Sequence, residues 1–199
     1  MKQSKVLGIT GKIGSGKSTV SSILKEYYGF DIIDVDREYH WLLQNSNELR
    51  LELLKTFGDG ILVNNQIDRA QLRKIVLSSD SNMEKLNRIT HPAIFERIKF
   101  LTTEKYKDKP VVVDAALLFQ IGLDRLCSVI WYIECEKEAI IERVVRRNGY
   151  NIEEIEKFLE RQKDIEKYRN LANRVIVNNS DIENLKAIVG KYLKEDGLI

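Results

Sequence analysis

Cysteine and proline are scarce in this chain, with 2 of each among 199 residues. Cys127 and Cys135 bracket the apolar stretch "CSVIWYIEC"; they make neither a disulfide framework nor a thiolate metal centre, and the pattern favours small buried hydrophobes. No proline-rich linker or low-complexity stretch separates two domains, and no internal repeat recurs at a fixed period. Long apolar runs are missing as well. Ala115 to Phe119 is far too short to cross a bilayer, and the opening "MKQSKVLGIT" contains no long apolar segment. Nor is there an excess of one charge: 32 Lys and Arg face 30 Asp and Glu, for a net +2. That balance requires neither nucleic acid nor an anionic membrane as partner, so any selectivity for anions has to be local. The expectation is a soluble cytoplasmic protein, a monomer or weak homo-oligomer, with no nucleic-acid or membrane partner.

What is present is enough apolar material for one core, 43% of the chain, with room for a smaller insertion. Short apolar runs alternate with helical patterns. "KVLGIT" reads as a buried strand, and Ser18 to Tyr28 spaces Val20, Ile23, Leu24 and Tyr27 as a helix does before Gly29 closes it. "FDIIDVD", "KPVVVDAALLF", "SVIWYIEC" and "RVIVNN" read as four further strands. "KEAIIERVVRRNG" and "IENLKAIVGKYLKE" are the helices that follow the last two. Strands alternating with helices predict an α/β fold, a five-stranded parallel sheet covered on both faces in three layers. Residues from about 37 to 109 are instead mostly helical and highly charged, as an inserted substrate-binding subdomain would be. A second helical excursion, "NIEEIEKFLERQKDIEKYRNLA", gives a lid region at about 143–172.

The stretch "GITGKIGSGKSTV" carries the strongest chemical signal. Gly11, four residues, then Gly16, Lys17 and Ser18 match the glycine-rich turn that joins a strand to a helix and wraps phosphates with backbone N–H groups. Glycine permits backbone angles closed to other residues and lets an anion come near, while the helix directs its positive end at the charge. Lys17 is placed to bridge the β- and γ-phosphates of a nucleoside triphosphate and Ser18 to put its hydroxyl on Mg²⁺. The candidate nucleotide contacts are Gly11, Lys12, Ile13, Gly14, Ser15, Gly16, Lys17, Ser18 and Thr19.

Three further groups bear on the reaction. "DVD", at the end of the second strand, sets Asp34 and Asp36 on the same face of an extended segment, at the strand edge where α/β sheets bind ligands. One carboxylate there can take the proton of an attacking hydroxyl and another can hold Mg²⁺ through water; helix capping is the competing reading. Asp114, closing "VVV", stands where metal-bound water is anchored in phosphate-loop proteins, again with a helix cap as rival. Arg143 and Arg147 lie four apart on one helical face, with Arg146 beside them, either as a plain surface cluster or to neutralise charge on a transferring phosphoryl group.

Taken together, "GITGKIGSGKSTV", "DVD", "IDRAQLRKIVL", "ITHPAI", "DAALLF", "ERVVRRN" and "VIVNN" resemble, in order and spacing, the dephospho-CoA kinase family. The resemblance spans nearly the whole chain. It implies a P-loop kinase that moves the γ-phosphate of ATP, with Mg²⁺, to the ribose 3′-hydroxyl of dephospho-CoA. It further implies Asp34 as general base and metal neighbour, with Lys17, Arg143 and Arg147 in catalysis. Ser18 and Asp114 are implied at the metal, Asn178 at the nucleotide, and Asp36, Arg69, Arg73, His91 and Pro92 at the acceptor. Without the resemblance, a histidine before proline reads as a turn, and Arg69 and Arg73 read almost as well as a solvated helix face. His40 and Trp41 read as packing.

Four residues depart from the family's pattern: Ala116 replaces a proline, Gln120 an acid, Lys12 a glycine and Phe158 an arginine. Rival readings are another small-molecule kinase of this architecture and, from a different class, a nucleotide-dependent switch. No "NKxD" element supports the switch.

Overall fold

A computed structural model of the chain describes residues 5–148, 155, 159 and 163–199, without the side chains of 142, 143, 146–148, 163 and 164. The chain begins with β1 (Val6–Thr10), α1 (Lys17–Tyr28) and β2 (Asp31–Asp34). It continues through α2 (Val35–Asn45), α3 (Asn47–Phe57), β3 (Leu62–Val63), β4 (Gln66–Ile67), α4 (Arg69–Val76) and α5 (Asp80–Phe100). Then come β5 (Val111–Asp114), α6 (Leu118–Ile121), β6 (Val129–Glu134) and α7 (Lys137–Asn148). The last elements are α8 (Lys163–Glu166), β7 (Arg174–Val177) and α9 (Ile182–Glu195). Two compact units result: Met1–Asp34 with Leu101–Ile199, and Val35–Phe100.

In the first unit five strands run parallel in the order β2-β5-β1-β6-β7. All of β1 is buried, as a central strand covered on both faces must be. Leu7 and Ile9 join Val20, Ile23 and Leu24 of α1 and Leu185, Val189 and Leu193 of α9 in one apolar layer. Each such side chain contributes roughly 1.5–3 kcal/mol on burial. Gly8 projects to the other face, where an added Cβ would lie 2.8 Å from Cys127 Sγ and 2.9 Å from Leu118 Cδ1. A glycine is what lets the segment after β5 approach the central strand. Trp131 is fully buried in β6 and donates its indole N–H to Asp196 Oδ2 at 2.8 Å, while Arg174 Nε holds Asp196 Oδ1 at 2.9 Å.

The second unit is helical with one small hairpin. Ser46 and Asp68 cap α3 and α4, their side chains accepting from Leu49 N at 3.2 Å and Gln71 N at 2.8 Å. Asn64 and Asn65, with φ of 50° and 59°, form the two-residue turn between β3 and β4. Leu42, Leu49, Leu53, Ile61, Leu72, Ile94 and Ile98 are buried. Arg97 ties α5 to α2 by donating to Glu38 at 2.8 Å and stacking 3.7 Å above the Trp41 ring.

Several sequence expectations are corrected. The second strand stops at Asp34 and α2 starts at Val35, so Asp34 and Asp36 do not share the face of one extended segment. Val35 is buried on the helix, and Asp36 and Glu38 occupy its first turn, where the positive end of the dipole favours acids. The third strand is likewise shorter than "KPVVVDAALLF": it ends at Asp114, and Thr10 Oγ1 pins the following turn by donating to Ala116 O at 3.2 Å. His91 and Pro92 do not form a turn but lie inside α5. A helix-interior proline costs about 3 kcal/mol; buried Thr90, Ile94 and Ile98 anchor α5 on either side of it. Trp41 does pack, at 42% exposure, as a platform for Arg97. Cys127 and Cys135 form no disulfide and are half-buried rather than fully buried.

Candidate active site

The loop between β1 and α1 takes backbone shapes that explain its glycines. Gly11, Gly14 and Gly16 have φ of 143°, 74° and 97°, and Gly16 opens α1 without a side-chain cap. The first N–H groups of α1 therefore belong to a glycine-lined mouth, with the exposed Ser18 and Thr19 hydroxyls in the first turn. An added Cβ at Gly11 would sit 2.1 Å from Ile133 O. Asn178, itself buried, supports the loop from β7: its N–H bonds Glu134 O at 2.8 Å and its Nδ2 bonds Ser15 O at 2.9 Å. Lys17 Nζ folds over the loop, donating to Gly11 O at 2.9 Å and Lys12 O at 3.0 Å. Ser15 Oγ is buried with no hydrogen-bond partner among the described residues, an orphaned polar atom inside the cradle.

Two carboxylates stand beside this mouth. Asp34 ends β2 and Asp114 ends β5, and the two are direct register partners; Asp114 is in turn opposite Ile9, two residues before Gly11. Parallel neighbours lie about 4.8 Å apart, so both acids share the carboxyl edge of the sheet with the loop. Ser21 Oγ donates to Asp114 Oδ2 at 2.8 Å and fixes that side chain from α1. Ser18, Asp34 and Asp114 offer oxygen donors only, the hard set that Mg²⁺ accepts while phosphates and water complete its shell. Among the described residues no three His, Cys, Asp or Glu side chains gather to hold a metal unaided. These residues suit a cation shared with a phosphate ligand.

The other expected site residues fall elsewhere. In the helical unit Asp36 is exposed on α2, Arg69 and Arg73 are exposed one turn apart on α4, and His91 and Pro92 lie on α5. Burial pushes the Tyr39 phenol up to about 12, partly countered by the nearby Arg69 guanidinium. Arg143 and Arg147 are positions on α7 whose side chains lie outside the described residues, as does Phe158.

Beyond the loop, Lys12 pairs with Glu166 of α8. Arg169 clamps Glu134 with two bonds of 2.7 and 3.0 Å, and the Tyr168 and Phe119 rings stack at 4.8 Å. Tyr132 lies beneath these acids. Burial, with help from Glu166 and Glu134, pushes its phenol up to about 12; burial and Asp124 do the same to the Cys127 thiol. Both folded values lie above the unfolded ones of about 10 and 8.5, so folding is favoured at lower pH and loses that support as pH rises through the folded values. The urea midpoint is expected to hold steady to about pH 8 and to fall towards pH 12, with Tyr132→Phe removing part of the fall. A midpoint constant to pH 12 would contradict these placements.

Sequence reasoning missed Thr10, Ser21 and Glu166. Ser21 had a legible signal: a polar residue on the apolar stripe Val20, Ile23, Leu24 needs a buried partner. Glu166 had none, since its partner is 154 positions away.

Comparison with known proteins gives a consistent result. The family model described as dephospho-CoA kinase matches residues 5–184. A Fusobacterium nucleatum protein named dephospho-CoA kinase is 38% identical over 188 residues, covering 94% of this chain and 96% of its own. Among solved structures, a Thermus thermophilus protein superposes with a TM-score of 0.82 at 27% identity, over 98% of each chain. The dephospho-CoA kinase of Campylobacter jejuni does so with a TM-score of 0.70 at 27% identity, over 96% of each chain. No described helix is long and apolar enough to cross a membrane.

Proposed function

The chain belongs to the dephospho-CoA kinase family, and from that premise we propose that it transfers the γ-phosphate of ATP to the 3′-hydroxyl of dephospho-CoA. The observation that carries this reading is the register pairing of Asp34 with Asp114 at the sheet edge that also bears the phosphate loop. A donor cradle and a base able to serve an acceptor hydroxyl thereby occupy one edge.

Catalysis is mostly positioning and charge neutralisation. The loop N–H groups and Lys17 bind the β- and γ-phosphates, and Lys17 Nζ exchanges its bonds to Gly11 O and Lys12 O for phosphate oxygens. Asp34 orients the ribose hydroxyl and takes its proton as the oxygen attacks phosphorus in line. Ser18 and Asp114 would hold Mg²⁺, with Asp34 near it and Ser21 keeping Asp114 in place. When bound, Mg²⁺ neutralises charge on the transferring and leaving oxygens. Arg143 and Arg147 act from the lid region at about 143–172. The helical insertion at about 37–109 receives the acceptor, with Asp36, Arg69, Arg73, His91 and Pro92 as its contacts.

The deciding experiment is an ATP-coupled assay comparing dephospho-CoA with nucleosides, nucleoside monophosphates and pantetheine derivatives. ATP consumption should depend strictly on dephospho-CoA and yield a 3′-phosphate. Turnover of another acceptor with dephospho-CoA inert would overturn the proposal, and acceptor-independent hydrolysis would indicate a switch or simple ATPase.

A further inference from the structure

The phosphate loop carries a second lysine besides Lys17. Lys12 has its backbone fixed: its carbonyl accepts from Lys17 Nζ at 3.0 Å and from Ser15 N at 3.3 Å. The loop apex is fixed too. Ile13 packs on Ile140, Val144, Ile155 and Leu159, and a Cβ on Gly14 would lie 2.8 Å from Val144 Cγ2 and 2.9 Å from Ile140 Cγ2. With the main chain held from both sides, the mobile part of Lys12 is its four-carbon stem, and the ammonium at its end rests on the Glu166 carboxylate. The Lys12 side chain is 20% exposed and that of Glu166 62% exposed. The acid therefore stands at the solvent side of the loop, where an ion pair is weak and readily exchanged. Arg169, a further cation three residues on, is engaged by both oxygens of Glu134.

We infer that Glu166 is the resident counter-ion of Lys12, displaced when the phosphates of a nucleoside triphosphate enter the loop, so that this acid sets nucleotide affinity by competing for the lysine. The inference rests on the ATP reading above. Lys12 and Lys17 stand five positions apart in this segment, and Glu166 sets a negative charge against the Lys12 ammonium. A polyphosphate brings more negative charge than one carboxylate and several acceptor oxygens, so Lys12 leaves the weaker partner for the stronger. Glu166 thus acts through Lys12 as a positioning residue. It ties the occupancy of the loop to the chain segment that holds Tyr168 against Phe119.

The test is calorimetric titration of the full chain with MgATP, which needs no turnover. Glu166→Gln should bind about 2- to 5-fold more tightly, because the competitor is gone. Lys12→Met should bind about tenfold more weakly, the loss of one charge-assisted contact. In the Lys12→Met background, Glu166→Gln should have no effect. The charge-swapped double variant, Lys12→Glu with Glu166→Lys, restores the ion pair but puts an acid in the cradle, and should bind more weakly than Lys12→Met. A merely structural pair would be rescued by that swap, and rescue overturns the inference. So does a Glu166→Gln variant that binds no more tightly, or one whose tightening persists without Lys12. Parent protein that binds no MgATP would sink the nucleotide reading itself, and the inference with it.

Discussion

Asp34→Asn is expected to bind MgATP nearly as well as the parent chain while turning over dephospho-CoA about 10²- to 10⁴-fold more slowly. The substitution keeps size and hydrogen-bonding reach but removes the capacity to accept a proton from the attacking hydroxyl. Its structural cost is small, since Asp34 is exposed at the last position of β2 and the ladder there is made by backbone groups. The loss should therefore fall on kcat rather than on nucleotide affinity, as expected when the interaction removed is made only in the transition state. Steady-state kinetics with a parallel MgATP titration separate the two. Unchanged turnover would remove Asp34 from the chemistry, and a loss confined to MgATP affinity would make it a metal neighbour only.

Gly11→Ala is expected to destabilise the fold by about 3–5 kcal/mol and to abolish measurable MgATP binding. Two effects combine. The residue has a φ of 143°, a region that L side chains rarely adopt, and the new Cβ would lie 2.1 Å from Ile133 O. That oxygen belongs to the backbone of β6, flanked in the sheet by β1 and β7, and cannot step aside as a side-chain tip could. The loop must move instead, taking with it the Lys12 and Gly11 carbonyls on which Lys17 rests. Gly29→Ala is the control: its φ is 70°, but none of the described residues comes within 4 Å of the added carbon. Backbone strain alone there should cost about 1–2 kcal/mol. Equal urea midpoints for the two variants would show that the close approach at Ile133 O matters little.

These contrasts mark what the sequence could and could not disclose. The loop was legible because its chemistry is local: glycines at fixed spacing, a lysine and a serine, between an apolar strand and an amphipathic helix. The five strands were legible for the same reason, since near-continuous apolar runs have few other uses in a chain of this kind. "DVD" was misread in shape because alternation of Ile33, Asp34, Val35 and Asp36 fits an extended segment as well as the end of a strand and the first turn of a helix. Burial of Val35 and the preference of acids for a helix start decided it. Pro92 was misread because a local bias was set against packing along a 21-residue helix that could not be seen from the dipeptide. The hairpin at Asn64 and Asn65 has only a weak signal, two asparagines after the apolar pair Leu62 and Val63, with the polar Gln66 opening the return strand. Ser21 with Asp114 and Lys12 with Glu166 join residues 93 and 154 positions apart. Only the order of strands in the sheet and the return of the chain after α7 bring such residues together.

Trp131, sealed in the middle of the sheet with its N–H on Asp196, has an optical consequence. The chain holds 2 tryptophans, and the other, Trp41, belongs to the helical unit and is 42% exposed beneath the Arg97 guanidinium. An indole shut away from water emits at shorter wavelength than one in contact with it, so the two rings have separable emission bands. Each unit thus carries its own fluorophore, and the melting of the sheet can be followed independently of the melting of the helices without attaching a dye.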